Sequence, residues 1–124
     1  MEAVNCEVRK SGCVIPPDDA PVVALIRISD YKAEECFLNP KVTWAHPCHY
    51  FGSGVEVPCE QFKEVVEMFL QKYKDHPNNH GGVILYAVNC QEVGMRWYAV
   101  FDSIIEGYCY NIAYLDVVGG CDIF

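Results

Sequence analysis

CEQFKEVVEMFLQKYK, residues Cys59 to Lys74, is the stretch whose reading decides the fold. Phe62, Val65, Val66, Phe69, Leu70 and Tyr73 recur at i, i+3, i+4, i+7, i+8 and i+11, with Glu60, Lys63, Glu64, Glu67, Gln71 and Lys72 between them. An apolar stripe of that period on a polar background is one face of an amphipathic helix of about four turns. Pro58 stands just before it, and Asp75-His76-Pro77-Asn78-Asn79 stops it, because proline lacks the amide that a continuing helix needs. A helix with one apolar face has to bury it, and a sheet is the expected floor.

Strand signals lie on either side. Towards the C-terminus, Val83 to Asn89 leads through Gln91-Glu92-Val93-Gly94 into Met95 to Phe101, a pattern that predicts an antiparallel hairpin. Asp102 to Gly107 turns, and Tyr108 to Tyr114 returns with alternating side chains. Gly119-Gly120-Cys121 ends the fold. Towards the N-terminus, Asn39 to Pro58 is broken by Asn-Pro, His-Pro, Gly-Ser-Gly and Val-Pro and reads as a long loop. Before it, Asp30 is placed to cap a short helix running to about Cys36, and Val22 to Ile28 reads as a buried strand. Residues Glu2 to Asp19 read as an irregular arm. The expected fold is therefore α+β, a four-stranded antiparallel sheet packed against one long helix (about 59–74) plus a short helix. A chain of 124 residues fits one domain, here 1–124.

Composition narrows the function. Apolar residues make up 52% of the chain, enough for a genuine core. Seventeen acids against nine Lys and Arg give a net charge of −8, and no basic cluster exists. Nucleic acid is thus not an expected partner, nor is an anionic membrane surface. No apolar run approaches the roughly 20 residues that span a bilayer. Met1-Glu2-Ala3-Val4-Asn5-Cys6 has neither the basic start nor the apolar run of a signal peptide, so a secreted form would carry none in this sequence.

Eight cysteines, Cys6, Cys13, Cys36, Cys48, Cys59, Cys90, Cys109 and Cys121, are spread from end to end with no C-x-x-C pair. Structural zinc and thioredoxin-type sites favour that close spacing, whereas an even, dispersed set reads as a disulfide framework. Cys6 and Cys13 would then staple the arm to the body. Pairing stays open, as does the alternative of a cytosolic protein with eight buried thiols.

Catalytic signals are sparse. His46-Pro47-Cys48-His49 with Cys36 and Cys59 contains the right atoms for zinc, but in a proline-broken loop without local ligand pairs, so no metal and no cofactor is expected. There is no G-x-S-x-G elbow, no P-loop, no G-x-G-x-x-G and no N-glycosylation sequon. No catalytic residue is assigned and a non-enzymatic protein is expected. Trp44, His49, Tyr50 and Phe51, in a polar, broken loop, are the candidate partner-binding residues, since aromatic anchors on loops carry many interfaces. For Trp44, Tyr50 and Phe51 the competing reading is that they cover the core.

Eight cysteines, a length near 120 residues, one long helix with a four-stranded sheet, and the run Arg96-Trp97-Tyr98 together resemble secreted fungal effectors, the nearest being the Leptosphaeria avirulence and suppressing family. The resemblance spans the whole chain at the level of architecture. It implies a secreted, non-enzymatic virulence or avirulence protein that enters a plant host, masks or binds host proteins and is recognised by immune receptors; it assigns no functional residue, and a monomer is expected. Two other functions compete: a disulfide-stabilised killer-toxin-like or protease-inhibitor module, and a cytosolic metal-binding protein or enzyme with free cysteines.

Overall fold

The computed structural model describes residues 3–29, 32–46, 51–56, 60–76, 82–105 and 108–123. Among these, nine strands and one helix follow in the order β1 (Glu7–Val8), β2 (Val14–Ile15), β3 (Ala24–Ser29), β4 (Lys32–Phe37), β5 (Phe51–Glu56), α1 (Glu60–Tyr73), β6 (Gly82–Cys90), β7 (Gly94–Ile105), β8 (Tyr108–Asp116) and β9 (Cys121–Ile123). β1 and β2 form a small antiparallel ribbon. The other seven strands form one antiparallel sheet in the order β5-β4-β3-β6-β7-β8-β9. The protein is therefore mostly β, and the expected α+β fold with a four-stranded sheet is corrected.

Three local differences account for this. The short helix expected from Asp30 to about Cys36 is replaced over Lys32–Phe37 by β4. Acids near its start favour a helix, but the segment has no apolar stripe at helical spacing. The edge of β3 instead pairs it from Ile26 opposite Glu35 to Ser29 opposite Lys32. The Arg27 guanidinium donates to the Glu34 carboxylate across that pair, at 3.1 Å. Within the expected loop 39–58, Phe51–Glu56 adds β5 to the β4 edge, Glu34 opposite Glu56 and Phe37 opposite Phe51, with a register shift between. Backbone pairing needs no side-chain period, so FGSGVE can form a strand that its sequence does not advertise. Beyond Gly119-Gly120 the chain returns as β9 on β8, Asp116 opposite Cys121.

The helix lies where its stripe places it, over Glu60–Tyr73. Val66 and Phe69 bury into one face of the sheet with Ile26, Leu85, Ala99 and Phe101. The expected hairpin forms over nine paired positions from Gly82–Asp102 to Cys90–Gly94. Its three-residue loop ends on Gly94 at φ +75°, a left-handed turn position that a side chain would strain.

The other face is covered too. Leu25, Ile84, Tyr86, Tyr98 and Val100 pack there beneath Val14 of the arm and Val42 and Trp44 of the segment after β4. Coverage on both faces explains why Val83 to Val88 is an unbroken apolar run rather than an alternating one.

Candidate contact surface

The four residues expected to bind a partner are not assembled by the described structure. Trp44 is 7% exposed, its ring 4.9 Å from that of Tyr98, 5.4 Å from Tyr114 and 5.9 Å from Tyr86. It covers the core. The backbone of Phe51 pairs with Phe37 in the sheet, while His49 and Tyr50 lie outside the described residues. So do Cys48 and Cys59 of the alternative zinc set; His46 is fixed by its amide, which donates to the Thr43 carbonyl at 3.0 Å. Among the described residues, no three His, Cys, Asp or Glu side chains come together as metal ligands.

Four cysteines form two disulfides, Cys6–Cys90 and Cys13–Cys121, with Cα atoms 5.8 and 6.0 Å apart. Both staple the arm, as expected, one to the end of β6 and one to the start of β9. Cys36 is buried on β4, and Cys109 stands opposite Ile104 in the β7–β8 pairing.

Beside Cys121 sits the most polar point of the interior. Asp116 is fully buried at the end of β8. Arg96 donates to it with two nitrogens, Nε to Oδ1 at 3.0 Å and Nη2 to Oδ2 at 2.8 Å, the fork-on-carboxylate geometry that makes charge-assisted bonds strong. The Gly119 amide donates to Oδ1 at 3.0 Å and the Val14 amide to Oδ2 at 3.3 Å. One carboxylate thus ties together β7, the β8–β9 turn and the β1–β2 ribbon. Gly119 leaves the room this needs: an added Cβ would stand 2.8 Å from both Arg96 Nη2 and Asp116 Oδ2.

The run Arg96-Trp97-Tyr98 divides between three tasks. Arg96 holds Asp116. Trp97 turns to the helix side, its ring edge-on to Phe62 at 5.6 Å. Tyr98 faces the arm, its hydroxyl donating to the Val14 carbonyl at 2.8 Å. Burial, and then the negative charge of Asp116, push the Tyr98 phenol well above its ordinary value; the same causes, in the same order, raise Tyr73, which Asp122 raises further. Tyr73 donates to the Val117 carbonyl at 3.4 Å, and His76 stacks on Phe101 at 4.7 Å with Nε2 3.6 Å from the Asp122 carboxylate, so the end of α1 is anchored to β9.

This rigid end of the sheet presents apolar side chains to solvent. Among the described residues, the large hydrophobics that stand exposed are Val8, Phe37, Val93, Met95 and Val118, between 44% and 62%. The register puts Phe37, Val93, Met95 and Val118 towards one end of the sheet. Val93 and Met95 flank Gly94 in the β6–β7 turn, and Val118 lies in the β8–β9 turn at that same end. Val8 pairs with Val14, whose amide rests on Asp116. Phe37 is in the row of Ala24, Ala87 and Trp97, three strands or roughly 14 Å from β7. Sequence reasoning passed over these residues because none marks a periodic apolar face; they lie in turns or at strand ends. Only Val93 and Met95 carried a signal, being apolar on both sides of a turn glycine. Comparison with known protein families, with characterised proteins and with solved structures finds no match to this chain.

Proposed function

We propose that this chain is a secreted, non-enzymatic binding protein of the effector type, which acts by gripping a host protein with the turn end of its sheet. The observation that carries the reading is that exposed Val93, Met95 and Val118 lie on the adjacent β6–β7 and β8–β9 turns at one end of the sheet. Solvent-exposed apolar side chains scattered singly need no explanation, but several on neighbouring turns of a rigid sheet are what a protein contact uses. The two disulfides suit an oxidising space, and among the described residues no helix is long and apolar enough to cross a membrane. The net charge of −8 favours a partner with a basic rim around its apolar centre, since opposite potentials steer the encounter.

The test is capture of a partner from plant extract by the wild-type chain and by a Val93→Glu, Met95→Glu, Val118→Glu variant. The expected result is a protein retained by the wild type, released by raised salt, and lost with the variant while circular dichroism and disulfide mass stay unchanged. Equal retention by both chains would remove the proposed surface.

A further inference from the structure

We infer that the N-terminal arm, residues 3–15, is a redox-released strap: a dithiol reductant frees it from the sheet face it covers while sheet and helix stay folded. Both disulfides of the described residues end in this arm, at Cys6 and Cys13. The non-covalent ties are modest. Glu7 to Gly12 are all exposed; besides the two cysteines, Val14 is buried, and Val4 and Ile15 pack half-buried against the same core. The remaining bonds are few: the Val4 amide to Asn89, the Gln91 amide to Val4, the Cys6 amide to the Glu92 carboxylate, the Val14 amide to Asp116, and the Tyr98 hydroxyl to Val14. Ordering a dozen residues for one buried valine, two half-buried apolar side chains and five hydrogen bonds is unfavourable without the covalent ties.

The body does not depend on the arm in this way. The layer between α1 and the sheet contains no arm residue, and β3, β6 and β7 pair with one another along their length. Release would free the Tyr98 hydroxyl and the Asp116 carboxylate from Val14, polar groups that the arm closes off while the disulfides are intact.

Access sets the order. Cys121 is half-buried, whereas Cys6, Cys13 and Cys90 are each no more than 9% exposed. A thiolate of the dithiol attacks the Cys121 sulfur, the S–S bond breaks, and Cys13 leaves with the electron pair and takes a proton. The second thiolate of the reductant then displaces Cys121, which is protonated in turn, and the reductant departs as its own cyclic disulfide. Two electrons and two protons have passed to the protein. Cys6–Cys90 follows by the same exchange.

Hydrogen exchange on the full chain, with and without dithiothreitol, tests this, together with timed alkylation of the new thiols. The expected outcome is exchange at least about tenfold faster over residues 3–15 with β6, β7 and α1 still protected. Cys13 and Cys121 should be alkylated before Cys6 and Cys90, and trypsin should cut faster after Arg9 and Lys10. Loss of protection by arm and sheet together would mean that reduction unfolds the domain, and the strap is refuted. An arm still protected after all four thiols are labelled refutes it equally. A C6S, C13S, C90S, C121S variant in oxidising buffer separates these two bridges from any other. If it folds, a mobile arm over a protected sheet is required; if it fails to fold, the arm was not separable and the inference falls.

Discussion

At the scale of the residue, Asp116 is where the interior is most sensitive. A buried carboxylate is tolerable because Arg96 and two amides satisfy it, and taking away the cation leaves the charge without compensation. Arg96→Met should therefore cost about 3–5 kcal/mol, read as a lower urea midpoint in oxidising buffer. Tyr98 gives a second prediction, in pH. Its phenol titrates higher folded than its ordinary 10.0, so the unfolded chain ionises first. That contribution is complete below pH 10, and it is lost as pH rises through the unfolded value towards the folded one. Tyr73 acts in the same direction. Tyr98→Phe should lower stability near neutral pH by about 1 kcal/mol, through the lost bond to Val14, and flatten the alkaline decline. Urea midpoints compared at neutral and alkaline pH check both; an equally steep decline in the variant would exclude Tyr98 as the cause. Neither role was legible in the sequence. Arg96 and Asp116 are twenty residues apart on neighbouring strands, and nothing local marks them as a pair.

At the scale of the element, α1 shows how much a strong period tells. Its stripe names the buried side chains, and Phe69, fully buried near Phe101 at 6.1 Å between rings, is the centre of that contact. Phe69→Ala should cost about 3–5 kcal/mol, from lost burial plus the cavity left behind. Exposed Glu64→Ala on the same helix should stay within about 0.5 kcal/mol, and thermal melts of the two variants make the comparison. The β6–β7 hairpin was legible for the same reason, since apolar runs on both sides of a glycine turn are a local signal. β4 and β5 were not. Lys32–Phe37 is short and acidic, and its strand state comes from the unpaired edge of β3; Phe51–Glu56 in turn depends on β4. Trp44 shows the same limit in a loop. Whether an aromatic ring there meets a partner or the core depends on what lies beneath, and here Tyr86, Tyr98 and Tyr114 do.

At the scale of the whole molecule, the disulfides join chain positions 84 and 108 residues apart, which restricts the unfolded chain most when loops are long. The cysteine spacing foretold a framework but not its pairing. If all eight cysteines are bridged, intact mass rises on full reduction by eight hydrogens, one for each cysteine; a gain of four would confine the framework to the two bridges described. The sequence by itself determined the helix, the hairpin and the acidic charge, because each is written in neighbouring residues or in composition. The tertiary structure alone decided that seven strands share one sheet, that both its faces are covered, that Asp116 meets Arg96, and that exposed Val93, Met95 and Val118 share one end of the sheet. Helical period is a property of one segment, whereas strand pairing and ion pairing are agreements between distant segments, settled only when the chain closes on itself.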